Sequence, residues 1–292
     1  MKPAVPLDDV RRFLTEHHGR PVSSLEPLPG GFWSAAYSYG VDGQDLVLRL
    51  GPRVDWFEAD RAAMAHAGPE LPVPAVLAIG SAFGAGFAIS ERREGRFLEE
   101  VRPDEHERSG PMLGRLLGAL RAIEQRPGDG PADAWAQHLR SKVGDSGGDP
   151  LLRACAARIA SVRDACGEPR HLVHGDLLYQ NVLVSDDAST VNAVFSWKRS
   201  VRGDHLYDTA YCTFFSPWYP GVGAADAWSS TLAALPPAER VDAGARHHCY
   251  ELTIGLDHLA GYVRDADTTN LAIGRARLAE ILERGELRHP RA

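Results

Sequence analysis

One stretch of the 292-residue chain gathers side chains that can do chemistry: His171-Leu172-Val173-His174-Gly175-Asp176-Leu177-Leu178-Tyr179-Gln180-Asn181-Val182-Leu183-Val184. Apolar residues flank a polar knot of His, Asp and Asn, and a β-like run follows it. Asp186-Asp187 then marks a turn, and residues 191–197 read as a second strand. A loop at the mouth of a hairpin is a rigid mount for functional groups. Moving a phosphoryl group onto an alcohol requires the acceptor in line and its proton accepted, and a carboxylate does this. It also requires a magnesium ion held by oxygen ligands, for which an Asn amide is suited. Asp176 and Asn181, on one loop, fit those two jobs; a capped turn in an unrelated domain is the bland alternative.

The elements that must position this loop follow from periodicity. Pro6-Leu7-Asp8-Asp9 opens a helix with Leu7, Val10, Phe13 and Leu14 apolar and acids in its first turn. Residues 27–53 read as strands and tight turns: Gly30-Gly31, an aromatic-rich run over 32–39, the turn Val41-Asp42-Gly43, then 45–50. In that last run Leu46, Leu48 and Leu50 share one face, and Val47 and Arg49 the other. Residues 55–67 read as a helix, and Pro72, Pro74, Gly80 and Gly84 punctuate strands over about 75–79 and 86–90. From Gly95 the pattern turns helical. Met112, Leu113, Leu116, Leu117, Leu120 and Ile123 form one stripe, Leu252, Leu256, Leu259 and Val263 another, and Leu271, Leu278, Ile281 and Leu282 mark a last helix. The expectation is an α+β chain, with a sheet-rich lobe over 1–93, a helical lobe over 94–292 and a ligand cleft between them.

Composition excludes several classes. The formal net charge of -7 speaks against nucleic-acid binding, which needs a basic face. Cys155, Cys166, Cys212 and Cys249 show no C-x2-C spacing, and a chain this long folds without disulfides, so reduced thiols are expected. His247-His248-Cys249 has no partner cluster in the sequence and is discounted as a metal site. Charges within the first dozen residues leave no apolar core for a signal peptide, and no run of apolar residues is long enough for a membrane span. A cytoplasmic protein with small-molecule partners is expected.

His174-Gly175-Asp176-x4-Asn181 resembles the catalytic loop of the aminoglycoside phosphotransferase family, itself similar to that of protein kinases. The likeness extends over residues 46–50, 56–67, 71–80, 89–95 and 171–218 and over Ile254-Gly255-Leu256-Asp257, nearest to the family's hygromycin-modifying branch. The resemblance implies a protein-kinase-like two-lobed fold, with a small antiparallel-sheet N-lobe and a larger helical C-lobe. It implies an antibiotic O-phosphotransferase using Mg2+ with ATP or GTP, the acceptor being a hydroxylated antibiotic and the outcome resistance. Asp176 would take or orient the acceptor proton and Asn181 would bind the metal. Gly30-Gly31 through Ser34 would cover the phosphates, although a hairpin turn is as good a reading of the glycine pair. Arg49 would contact the nucleotide phosphates and pair with Asp60, or else with Glu58. Ser90, Glu91 and Arg92 would form the hinge that faces the purine. His171 and His174 would orient the loop.

One position departs from the family. The strand after the loop ends Val194-Phe195-Ser196-Trp197, where family members carry the principal metal-binding Asp in place of Ser196. A hydroxyl brings no negative charge, and a hard divalent cation is held mainly by charged oxygens. Either Asp204, Asp186 or Asp187 substitutes, or turnover is slow, or the protein is a pseudokinase-type nucleotide binder. On the acceptor side the resemblance points to residues 204–219, including Asp204, Asp208, Tyr211, Trp218 and Tyr219, and to the helix with Glu251, Asp257 and His258. Aromatics beside carboxylates suit a polyhydroxylated or amine-bearing molecule. Tyr207, Tyr211, Phe214 and Phe215, at helical spacing, suit a core better than an acceptor site, and Asp208 could brace the loop instead.

Overall fold

A computed structural model describes residues 3–29, 31, 33–124, 134–143, 148–166 and 170–287. Gly30 and Phe32, from the glycine pair and the aromatic run, lie outside the described residues. The chain forms two compact units. One takes the residues up to Leu98 together with Leu178–Asp186 and Thr190–Arg199; the other takes Glu99–Leu177, Asp187–Ser189 and everything from Ser200.

The first unit is sheet-rich. It runs α1 (Leu7–His18), β1 (Ser23–Leu28), β2 (Ala35–Val41), β3 (Gln44–Gly51), α2 (Asp55–Ala63), β4 (Val76–Ala82), β5 (Ala85–Glu91) and β6 (Arg96–Phe97). The first five strands form an antiparallel sheet in the order β1-β2-β3-β5-β4. Asp42 and Gly43 both have positive φ and close a two-residue hairpin between Val41 and Gln44, the geometry that matches strand twist. Period two then sorts β3. Leu46, Leu48 and Leu50 join Val10, Leu14, Tyr37, Tyr39, Phe87 and Ile89 in the core, each fully buried leucine contributing roughly 1.5–3 kcal/mol. On the opposite face, Phe57 of α2 packs with Val76 and Ala88.

β4 and β5 are longer than expected. Gly80 does not break β4 but pairs with Phe87, and a Cβ at that position would meet the Phe87 ring at 2.7 Å. The turn falls at Phe83-Gly84, both left-handed. Later chain segments complete this unit as β8 (Val182–Val184) and β9 (Val191–Val194), giving a three-stranded sheet β6-β8-β9.

The second unit is mainly helical: α3 (His106–Arg121), α4 (Ala134–Lys142), α5 (Pro150–Val162), α6 (Leu206–Phe214), α7 (Pro220–Ala224), α8 (Ala227–Ala234), α9 (Pro237–Arg240), α10 (Ala243–Arg264) and α11 (Thr268–Arg284). Among the described residues its sheet pairs β7 (His171–Val173) with β10 (Val201–Gly203), antiparallel. α10 packs against α5, α6 and α11. The α3 stripe is buried from Met112 to Leu120, while Ile123 lies beyond the helix end and half-exposed. The α10 stripe is buried through Leu259; Val263, expected to continue it, is 64% exposed on the last turn. All four cysteines are free. Among the described residues no helix is long and apolar enough to cross a membrane.

Candidate active site

In the second unit, β7 delivers His174-Gly175-Asp176, and α6 grips the segment. Asp208, in the first turn of α6, accepts the His174 N–H at Oδ2 and the Gly175 N–H at Oδ1, both at 2.8 Å. Gly175 has φ +74, a left-handed conformation in which a side chain is strained. His174 is wholly buried, and its Nδ1 accepts the Asp176 N–H at 3.2 Å. The Asp176 carboxylate, 7% exposed, accepts a hydrogen bond from the Tyr211 hydroxyl at 2.8 Å. That hydroxyl also lies 3.3 Å from His258 Nε2 on α10. Burial pushes the Asp208 carboxyl up to about 7; the two N–H bonds oppose this and the Asp176 charge adds to it. The result is a carboxylate fixed at its backbone and its side chain. That is what a positioned general base requires.

Between Leu177 and Leu178 the chain passes into the first unit. There Val182 pairs with Val194, and Phe195 N–H donates to Asn181 O at 3.0 Å, so Asn181 and Ser196 flank the same end of the β8-β9 hairpin. The Asn181 amide nitrogen donates to Leu178 O at 2.8 Å, which fixes the amide's orientation. Ser196 has φ +71. Toward a magnesium ion these two would offer an amide oxygen and a hydroxyl, a fitting but uncharged pair. Asp186 sits at the opposite, turn end of the hairpin, and three strand residues correspond to about 10 Å, too far to stand in for the missing carboxylate. Asp187 accepts from the Ser189 N–H and hydroxyl.

The expected partner of Arg49 is the observed one. Arg49 Nη2 pairs with Asp60 Oδ2, and Asp60 Oδ1 accepts the Trp197 N–H at 2.7 Å, which ties β3, α2 and the segment after Ser196 together. Arg49 also lies over the rings of Phe57 and Phe195. Glu58, the alternative, pairs with Arg61 on the surface. Gly31, at φ +68, donates its N–H to Gln180 Oε1 at 2.9 Å, and a Cβ there would meet Ser34 O at 2.5 Å.

Several of the expected site residues already have partners within their own unit. The hinge N–H groups are already engaged: Glu91 N–H donates to Ala75 O and Arg92 N–H to Asp45 O, and Ser90 is paired on both sides by Val47 and Val76. β5 is an interior strand, so backbone beyond the ladder begins at Arg93. Asp204, 5% exposed, is held by Arg246 at 2.7 Å, by the Tyr250 hydroxyl at 2.9 Å and by the Leu206 N–H, so it is a brace and not a surface ligand. Asp208 clamps the loop. Trp218 donates its Nε1–H to Asn270, Tyr219 is half-buried with its hydroxyl pushed up to about 12 by burial, and Asp257 pairs with Lys142 at 3.0 Å. Tyr207, Tyr211, Phe214 and Phe215 are core residues, yet Tyr211 also reaches Asp176, a contact signalled by its place three residues after Asp208 on one helix face.

Glu251, expected to face the acceptor, has no exposed surface. Arg284 pairs with it, His247 and Arg277 lie at 3.4 and 3.6 Å, and the Thr213 hydroxyl donates at 3.0 Å. Burial alone would raise this carboxyl, but the His247 ring and the two guanidiniums outweigh it and hold it at about 2. Glu251→Ala should therefore lower stability by about 3–5 kcal/mol, because it strands buried cations, read as a shift in the urea midpoint. The acceptor KM of the folded variant should be unchanged; a raised KM would return Glu251 to the binding site. The sign with pH follows from a depressed carboxyl. Its stabilisation is complete above the unfolded value of about 4.3 and fades as pH falls toward about 2.

Known proteins resemble this arrangement. Residues 24–241 match the phosphotransferase enzyme family. The hygromycin-B 4-O-kinase of Escherichia coli is 28% identical, across 97% of this chain and 87% of its own length. The crystal structure of aminoglycoside phosphotransferase APH(4)-Ia superposes with a TM-score of 0.79 at 25% identity, covering 95% of this chain and 99% of that one. A thermostable mutant of that enzyme, in ternary complex with AMP-PNP and hygromycin B, gives 0.78 at 27% identity, covering 94% and 98%. With the family matched over most of its length, and the loop, brace and sheet in place, the chain belongs to the phosphotransferase enzyme family, in its aminoglycoside phosphotransferase branch.

Proposed function

We propose that the protein transfers the terminal phosphoryl group of ATP to a hydroxyl of a hygromycin-like aminoglycoside, and so confers resistance. The observation that carries this reading is the doubly anchored Asp176, with two loop N–H groups on Asp208 and the carboxylate on Tyr211. As the acceptor oxygen bonds to phosphorus, the bond to the ADP oxygen breaks and the acceptor proton passes to Asp176. Nucleotide contacts fall to the 1–93 lobe, with Gly31 and Ser34 near the phosphates, the Arg49–Asp60 pair behind them and backbone from Arg93 toward the base. Trp218, Tyr219 and Asp257, in the 94–292 lobe, are the acceptor-side candidates. Asn181 and Ser196 would hold magnesium, which neutralises phosphate charge. The choice of ATP over GTP and of a hygromycin-like acceptor rests on the relative crystallised with AMP-PNP and hygromycin B.

The uncharged Ser196 favours a second reading, a nucleotide-binding protein without turnover. Incubation with labelled ATP or GTP, magnesium and a panel of hydroxylated antibiotics separates the two. Phosphorylated hygromycin B or a close aminoglycoside is the expected product, with ATP preferred. Nucleotide binding with no product from any acceptor would sink the enzyme reading and leave the second.

A further inference from the structure

The second unit contains a side-chain cluster for which phosphoryl transfer has no use. His171 on β7, His205 just before α6 and Glu239 on α9 each offer one metal-ligating atom, and the three atoms lie within 4.8 Å of one another. The backbone brings them together. Gly203 pairs with His171 in the β7-β10 ladder, which carries His205 past that strand, and Arg246 binds the Glu239 carbonyl at 2.7 Å, which pins α9.

Each donor is prepared in a different way. His205 is 6% exposed, and its Nε2 has no hydrogen-bond partner, which is unusual for a buried polar atom. Glu239 Oε2 lies 3.7 Å from that nitrogen and Asp204 Oδ1 lies 3.9 Å away, both beyond hydrogen-bond length. His171 Nδ1 lies 2.7 Å from Arg121 O. A carbonyl only accepts, so Nδ1 carries the proton and Nε2 carries the lone pair. A ring fixed in this way by a backbone carbonyl is the usual support of a metal-bound histidine. The two imidazoles meet edge to face, with centroids 5.0 Å apart.

Arg121 already pairs with Glu239, through Nη2 to Oε1 at 2.8 Å and Nε to Oε2 at 3.1 Å. The longer of these bonds is on the oxygen facing His205. Oε2 can therefore turn to a cation while Oε1 keeps its guanidinium. Ligand atoms around tetrahedral zinc stand about 3.3 Å apart, so the widest gap must close by ~1.5 Å. Glu239, with a 39% exposed side chain on a four-residue helix, has the freedom to do so.

We propose that His171, His205 and Glu239 bind a zinc ion, with water as the fourth ligand. Two imidazoles and one carboxylate suit zinc and give too few oxygens for magnesium or calcium. The ion would link β7, the approach to α6 and α9, the first two of which supply His174 and Asp208. Its effect would be on the stability of that scaffold, since the proton transfer proposed for Asp176 needs no metal at this position.

The test uses full-length, tag-free protein stripped with chelator and dialysed against zinc, with bound metal measured by mass spectrometry. A single equivalent should be retained, the melting temperature should rise with zinc, and cobalt should give tetrahedral visible bands. His205→Gln and Glu239→Gln should each weaken binding by about 10–100-fold. Glu239→Gln changes a part-exposed side chain and decides the matter if His205→Gln does not fold. No retained zinc, or retention equal to the parent in a folded variant, overturns the site. Neither result depends on catalytic activity.

Discussion

Asp176→Asn should reduce kcat by roughly 10²–10⁴-fold, the usual contribution of a positioned general base, and leave both KM values within about threefold. The substitution is close to isosteric. The amide oxygen can still accept from the Tyr211 hydroxyl, and the Asp208 clamp acts on the backbone N–H groups of His174 and Gly175, which the change does not touch. The loop therefore keeps its shape while losing the group that takes the acceptor proton. Steady-state kinetics on the product identified from the antibiotic panel, with a melting curve beside them, provide the check. A kcat loss at constant melting temperature assigns proton acceptance to Asp176. A rise in acceptor KM at unchanged kcat would make Asp176 a binding group, and an unchanged kcat/KM would remove it from the reaction.

Chemistry confined to short sequence distances was legible from the sequence, and chemistry that converges from distant segments was not. The loop could be read because its polar residues stand between apolar runs, and because Gly175 occupies the one position of the His-Gly-Asp turn with positive φ. The Arg49–Asp60 pair was legible through the family resemblance, with which period two agrees by turning Arg49 away from the leucine face of β3. Glu251 could not. Its neutralising partners Arg277 and Arg284 come from α11, and an acid on α10 looks the same in sequence whether it meets water or two guanidiniums. The engagement of the hinge N–H groups was not legible, for a topological reason. β5 sits between β3 and β4, so the N–H groups of Glu91 and Arg92 find partners within the unit, and nothing local in residues 89–93 records that neighbour order. Tyr211 was legible as core by its spacing, but its hydroxyl contact with Asp176 depends on where β7 ends relative to α6.

The position that departs from the family yields the second large effect. Ser196→Asp should tighten the magnesium dependence of turnover by at least about tenfold, since one carboxylate replacing a neutral oxygen adds the charge a hard cation requires. The backbone accepts this change with little strain. Ser196 sits at φ +71, and Asp is among the few residues that adopt left-handed conformations readily. The neighbours also tolerate it. Asn181 at the same hairpin end supplies a neutral amide, while Asp60 is occupied by Arg49 and the Trp197 N–H, so the new charge meets no unpaired acid among these groups. Initial rates measured against magnesium at saturating nucleotide should then show a lower half-saturating concentration and a higher plateau. If the parent already turns over at the rate of the variant, with the same magnesium curve, another oxygen fills the place of the missing carboxylate. In that case Ser196 is a neutral solution to metal binding and the reading without turnover fails. If the parent is silent and the variant active, the chain retains the scaffold of a phosphotransferase and lacks one charge.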